Sequence, residues 1–422
     1  MKKYDEYKDT GIDWLPKLPS HWQLEQLRKY IRLVSIKGHP EKQLLSVTRE
    51  QGVIVRDTES KEENHNFIPE DLSGYKYVQK GQFVINKMKS WQGSYGVSEH
   101  EGIVSPAYFV CDLCFPNKKF FSLAIRSRNY VSFFAQYSKG IRVGQWDLSP
   151  IALKSIPFFE PPIAEQEKIV RFIESKTLNI DAYVAEKERE LQLLNELKES
   201  EIANVITRGL DPNVKMVSYN SLIATEYPEH WNLTRNKSFM SETGYKVGDK
   251  ANQYTLLSLT TKGVIVRDIE SGKGKFPKDF DTYQVVNKDE LVFCLFDIDE
   301  TPRTVGLVST EGMITGAYTA LKINQQYAIP EYVYYYYLCV DNIKALKPYY
   351  SGLRKTVRAD KFLQLYIPLP PLEEQKAIVA FINDRTNKIN SLISDLEAEI
   401  EYLKEYKQKL IADCVTGQIK VD

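Results

Sequence analysis

Residues 161–173 read PPIAEQEKIVRFI, and residues 370–382 read PPLEEQKAIVAFI. The two stretches lie 209 residues apart, and their register runs without a gap to Ile206-Thr207 over Val415-Thr416. Working outward, more of the chain falls into the same frame. PSHW (19–22) lies over PEHW (228–231) at an offset of 209, and GIVSPAY (102–108) over GMITGAY (312–318) at 210. LLSVTREQGVIVRDTES (44–60) lies over LLSLTTKGVIVRDIES (256–271) with one residue inserted, so the hexamer GVIVRD occurs twice. A period of half a 422-residue chain is far longer than a solenoid repeat and implies two tandem copies of a domain.

Each copy has two parts. The first, about 150 residues, carries short runs of Val, Ile, Tyr and Phe broken by Gly, Asn, Asp and Pro, the pattern of strands and turns. GQFVIN (81–86), AYFVCDL (107–113) and ELVFCLF (290–296) read as strands, with helices expected near 119–137 and 331–347. GVIVRD itself alternates apolar residues behind a glycine and reads as a strand after a turn. Arg56 and Arg267 within it suit either a phosphate contact or a structural ion pair.

The second part is a long helix. Proline punctuation stops after Pro161-Pro162 and after Pro370-Pro371, and Glu165 and Glu374 stand in the first turn, where a helix is electropositive. Ile382, Ile389, Leu396, Leu403 and Leu410 repeat every seven residues, with Val379, Thr386, Ile393, Ile400, Lys407 and Cys414 at the companion position. In the first copy Ile173, Ile180 and Leu194, with Val170, Val184, Leu191 and Val205, form a similar seam broken by Thr177, Lys187, Lys198 and Glu201. Such heptads are the seam of a coiled coil. Each helix should run about 45 residues, or roughly 65 Å at the usual rise per residue. Two matched seams in one chain most simply pair with each other. Antiparallel pairing would set the globular parts at opposite ends of a rod, related by a pseudo-two-fold axis. Charges in the seam would mark contacts to a partner protein or to the other domain.

The expected fold is therefore α+β: two tandem globular domains of strands and short helices (1–162 and 211–371), joined by two long antiparallel helices (163–210 and 372–422). Composition is that of an ordinary globular chain, 43% hydrophobic and 27% charged. MKKYDEYKDTG lacks the apolar core of a signal peptide, and no apolar run approaches a membrane span. A cytoplasmic location without membrane association is expected. Five scattered cysteines argue against a disulfide framework, and the lone CDLC (111–114) reads as thiols in or beside a strand.

Fifty-six basic residues balance fifty-six acidic ones, but the distribution is local. From Phe115 to Gln145 there is no acid, and Lys118, Lys119, Arg126, Arg128, Lys139 and Arg142 alternate with aromatics. From Asn342 to Ala359 there is again none, and Lys344, Lys347, Arg354, Lys355 and Arg358 flank Tyr349-Tyr350. Recurrence in both copies fits two contacts with nucleic acid; a solvated helix face over an aromatic core gives the same pattern. KMKSWQGSYG (87–96) adds Lys87, Lys89, Ser90, Trp91 and Gln92 between glycines, residue types that meet phosphates and base edges. The matching CLFDIDETPRTVG (294–306) is acidic and keeps only Arg303, so the copies diverge here.

Catalytic signatures are absent. There is no GxxxxGK[ST] and no GxGxxG, and SGKGK (271–275) lacks the spacing. EPPI (160–163) and LPPL (369–372) have the prolines of an adenine methyltransferase loop without its polar and aromatic residues. The histidines show no metal-ligand spacing. Asp297, Asp299 and Glu300 cluster in one copy only.

Two divergent globular domains, each closed by PPxxEQ and a long helix, resemble the specificity (S) subunit of type I restriction-modification enzymes. The resemblance covers essentially the whole chain and rests on the two PPxxEQ segments, the repeated P-x-H-W, KMKSWQGSYGV with GIVSPAY, and GQWDL (144–148). It implies a non-catalytic reader of double-stranded DNA, each domain recognising one half of a bipartite site. It also implies helices that set the spacing and dock two methyltransferase (M) subunits, with restriction (R) subunits beyond. No cofactor is expected on this chain; S-adenosylmethionine, ATP and Mg belong to the partners. The expected DNA contacts are Lys87, Lys89, Ser90, Trp91, Gln92, Arg142 and Gln145 in the first copy, and Arg303, Arg354, Lys355, Thr356 and Arg358 in the second. One departure, Phe158-Phe159-Glu160 before Pro161 where the second copy has Leu369, suggests a loop difference at the domain–helix junction. Two other readings remain: a coiled-coil scaffold that binds only proteins, and a self-contained methyltransferase or nuclease.

Overall fold

The structure is a computed structural model and describes residues 2–58, 68–140, 146–267, 280, 282–352 and 355–421. The chain forms two compact units, Met1–Glu188 with Ala398–Asp422 (unit 1) and Arg189–Glu397 (unit 2).

The centre of unit 1 is a four-stranded antiparallel sheet in the order Ile31–Val34, Phe109–Leu113, Phe83–Ile85, Tyr95–Val97. Unit 2 repeats it as Met240–Glu242, Thr319–Ile323, Leu291–Phe293, Val305–Leu307. The apolar runs read from the sequence supply the inner strands. Phe83, Val84 and Ile85 are all fully buried, as suits a strand covered on both faces. GVIVRD supplies the second strand of a hairpin in each unit: Gly52–Val55 pairs Leu45–Thr48, and Gly263–Val266 pairs Leu257–Thr260. Cys111 lies buried in a central strand, where burial pushes its thiol up to about 12.

The helix expected at 119–137 is two, α1 (Lys118–Ile125) and α2 (Arg128–Tyr137), separated where Ser127 turns extended at ψ 154. A third, α3 (Pro150–Ser155), is capped by the Ser149 hydroxyl, which accepts from Ala152 N at 3.1 Å. After it, Pro157–Glu160 pairs with Gln23–Gln26.

The long helices are α4 (Ile163–Arg208) and, after α5 (Pro330–Asn342) and α6 (Ala359–Phe362), α7 (Leu372–Val415). The helix expected at 331–347 stops at Asn342; Lys344 takes φ 51, and a single 3-10 turn, Lys347–Tyr349, contains Pro348. The expected loop difference before the long helices is absent. Tyr366–Leu369 pairs Asn232–Arg235 as Pro157–Glu160 pairs Gln23–Gln26, strand for strand.

Each long helix is divided between the units, and within each unit the two parts run antiparallel. In unit 1, Lys407 Nζ meets Asp181 at 2.6 Å, Lys404 Nζ meets Glu188 at 2.9 Å, and Lys187 Nζ meets Glu399 at 3.5 Å. In unit 2, Arg385 Nε donates to Glu201 Oε2 at 2.9 Å and Lys198 Nζ to Asn390 Oδ1 at 3.1 Å. Every heptad position named above is buried or half-buried. The seam charges thus pair across the two helices, rather than waiting for a partner protein.

The repeated motifs fasten each helix to its unit. Gln166 Nε2 donates to Pro161 O at 2.7 Å and Gln375 Nε2 to Pro370 O at 2.8 Å, using carbonyls just outside the first turn. Glu165 accepts from His21 Nε2 at 2.9 Å, and Glu374 accepts from His230 Nε2 at 2.7 Å. In unit 2 Glu374 also accepts from the buried indole of Trp231 at 3.0 Å. There α4 ends at Gly209, φ 76, where a Cβ would sit 2.9 Å from Glu374 Oε1. P-x-H-W and PPxxEQ are therefore two halves of one anchor, and their repetition follows from the repeated need to seat a helix.

Candidate nucleic-acid interface

In unit 1 the strand Phe83–Ile85 delivers the chain into residues 86–94. A 3-10 turn, Ser90–Gln92, ends at Gly93 with φ 96, a left-handed conformation open to glycine. Asn86 builds the loop, its Oδ1 accepting from Met88 N at 3.2 Å and its Nδ2 donating to Tyr108 OH at 3.1 Å. Ser90 is fully buried, and its hydroxyl donates to Lys87 O at 3.2 Å. It shapes the loop from inside. Lys89 is exposed, and Trp91 and Gln92 are half-buried.

A second segment closes against this loop. Leu148 N donates to Lys87 O at 3.1 Å, Lys87 Nζ meets Asp147 Oδ2 at 3.0 Å, and Lys139 and Asp147 form a β-bridge. Trp146 packs on Trp91 with ring centroids 5.2 Å apart, while the Trp91 indole donates to Met88 O at 3.2 Å. Arg142 and Gln145, in the same segment, lie outside the described residues.

The basic run of unit 1 is partly architecture. Arg126 donates to Tyr95 O at 2.7 Å, Arg49 O at 2.9 Å and Glu50 O at 2.7 Å, and desolvation lowers its pKa. Lys118 donates to Gly81 O at 3.2 Å, and Lys119 pairs with Glu174 at 2.7 Å. Arg128 and Lys139 stand exposed.

Unit 2 repeats the frame with other side chains. Val357 N donates to Leu295 O at 2.7 Å, as Leu148 N does to Lys87 O, and Ser351 and Thr356 form the matching bridge. Three non-glycine residues of these loops, Asp297 (φ 44), Lys344 (φ 51) and Lys355 (φ 47), are left-handed. Each such residue costs of order 1–3 kcal/mol and tends to persist at functional sites.

Here the predicted cations among the described residues are paired. Arg303 Nη1 reaches Asp341 Oδ2 at 3.1 Å and Asn342 Oδ1 at 3.0 Å, with Asp341 buried; Arg303 holds the loop from within. Lys355 Nζ contacts Asp299 Oδ2 at 3.4 Å and Glu300 Oε1 at 2.9 Å. Asp299 also accepts from Tyr350 OH at 2.9 Å, which together with Lys355 holds its pKa below the ordinary carboxylate value. Arg358 forks onto Asp360 at 3.0 and 2.9 Å. Thr356 bridges Phe296 and Ser351 through its backbone. Arg354 lies outside the described residues. The acidic loop and the basic run thus meet in space, a pairing the one-dimensional reading missed.

Among the described residues no group of three or more His, Cys, Asp or Glu could hold a metal, and no helix is long and apolar enough to cross a membrane. The carboxylates of Asp299 and Glu300 neutralise Lys355 instead.

A sequence model described as the type I restriction modification DNA specificity domain matches residues 272–402. A Methanocaldococcus jannaschii chain assigned as the MjaX type I restriction enzyme specificity subunit is 22% identical, covering 99% of this chain and 98% of that one. The MjaVIII type I restriction enzyme specificity subunit of the same organism is 24% identical over 72% of this chain and 70% of its own. A chain solved in work on complex assembly and conformational transition of the type I R-M system superposes with a TM-score of 0.67. It is 13% identical and covers 96% of this chain and all 100% of its own. Over nearly its whole length the chain is similar to the DNA specificity subunits of type I restriction-modification systems, which are non-catalytic.

Proposed function

We propose that residues 1–162 and 211–371 each read one half of a bipartite site in double-stranded DNA. Helices 163–210 and 372–422 then fix the spacing and dock two M subunits, to which R subunits add. S-adenosylmethionine, ATP and Mg act on those partners, and the assembly works in the cytoplasm. The observation that carries this reading is the doubled loop frame. Leu148 N on Lys87 O and Val357 N on Leu295 O hold the same two segments together in both units, while the side chains they display differ. A constant frame with variable display is what reading two different half-sites requires.

In this reading Lys87, Lys89, Trp91, Gln92, Arg142 and Gln145 contact DNA in the first domain, and Arg354, Lys355, Thr356 and Arg358 in the second. Ser90 and Arg303 support the loops. Ion pairs such as Lys87 with Asp147 then exchange a carboxylate for a phosphate on binding. The test is equilibrium binding of duplex DNA by the chain assembled with an adenine methyltransferase partner, across salt concentrations. Log affinity should fall linearly with log salt, by about 0.9 per phosphate neutralised. A flat plot, or no binding with the partner present, contradicts the proposal and favours a scaffold that binds only proteins.

A further inference from the structure

The doubled frame equates residues whose side chains are unrelated. Lys87 O and Leu295 O accept the same bond, so Trp91, four residues on, stands where Asp299 stands. Leu148 N and Val357 N donate it, so Trp146, two residues before, stands where Lys355 stands. The two positions touch in both units. In unit 1 they form a ring pair with centroids 5.2 Å apart. In unit 2 they form an ion pair at 3.4 Å. One contact has been kept while its chemistry has been exchanged.

The chemistry on offer differs accordingly. The Trp91 indole N–H is already committed to Met88 O, so that ring presents carbon surface. Lys355 keeps 48% of its side chain exposed and sits in the left-handed region, with Asp299, fixed by Tyr350 OH, at 3.4 Å and Glu300 at 2.9 Å, the carboxylate that a base would displace. In the major groove, apolar surface suits the 5-methyl group of thymine, whereas a lysine suits O6 and N7 of guanine.

Resting on the DNA-reading proposal above, we infer that this pair of positions is a specificity contact used twice. Trp91 with Trp146 takes the thymine methyl of an A·T pair in one half-site. Lys355, held by Asp299, takes the guanine of a G·C pair in the other. Trp146 and Asp299 thereby join the residues that set specificity.

The test uses the chain assembled with its methyltransferase partner and duplexes carrying its bipartite site. Deoxyuridine, which lacks the methyl, replaces each thymine in turn, and 7-deazaguanine, which lacks N7, replaces each guanine. For the native protein one deoxyuridine in one half-site and one 7-deazaguanine in the other should each weaken binding, roughly 10-fold. W146A should erase the first loss only, and K355Q the second only. Losses unchanged in both variants, or a half-site lacking the assigned base pair, overturn the inference and leave DNA reading intact. Absence of any sequence-selective binding overturns both. The analogue scan on the native protein needs no variant to fold, and W146F, which keeps a ring, should retain part of the deoxyuridine loss.

Discussion

The guanidinium of Arg303 donates to the carboxylate of Asp341 at 3.1 Å, and that carboxylate is only 1% exposed. Asp341 also accepts from Thr304 N at 3.0 Å, Thr304 Oγ1 at 2.6 Å and Lys344 Nζ at 2.7 Å. Four donors converge on one buried acid at the end of α5. Removing the acid strands two cations, so D341A should destabilise unit 2 by about 3 kcal/mol in urea unfolding. R303A leaves Asp341 three donors and should cost less. If R303A weakens DNA binding with no change in unfolding midpoint, Arg303 faces DNA and its structural assignment is wrong.

The two anchors differ in one bond. Glu374 accepts from Trp231 as well as His230, whereas the Trp22 indole has no hydrogen-bond partner among the described residues and Glu165 accepts from Tyr4 and His21. E374A should therefore lower the unfolding midpoint, through a newly unpaired buried indole worth about 1–3 kcal/mol. E165A orphans no indole that was bonded before. Equal effects of the two variants would contradict this account.

Acid should loosen the helix pair of unit 2. The guanidinium of Arg385 beside Glu201 holds its carboxyl below the usual 4.5. A depressed folded-state pKa means that the stabilisation is fully present above the unfolded value and is lost as pH falls through the folded one. Stability measured from pH 7 downward should begin to fall near 4.5. R385Q should flatten this dependence, and an unchanged profile would show that the pair contributes nothing there.

Gly93 closes the 3-10 turn at φ 96, and a Cβ would find Val131 Cγ2 at 3.5 Å, an ordinary contact. The penalty of G93A is thus backbone strain alone, about 1–2 kcal/mol. Binding to the half-site of unit 1 should weaken more than global stability does. A variant with full affinity would mean that the loop conformation is not read.

The duplication, the long helices and their seams were legible because each rests on a period or on identical letters. Residues 161–173 against 370–382 already carried the register that the strands before α4 and α7 share. The site was less legible. Basic runs in the sequence do not distinguish Arg126, which is spent on three carbonyls, from Arg128, which is exposed. Nor do they show that Asp299 will face Lys355, since that contact spans two loops separated by α5 and is set by the sheet between them. Burial takes Ser90 out of the display, and Arg303 is engaged by Asp341 of α5, a partner distant in the sequence.

The central claim, two domains reading two halves of one DNA site for a methyltransferase supplied in trans, meets its most direct test in the methylome. Single-molecule sequencing should be run on cells with and without this gene, with the partner genes expressed in both. A bipartite motif carrying N6-methyladenine should be present with the gene and vanish when it is deleted. An unchanged methylome would contradict the claim.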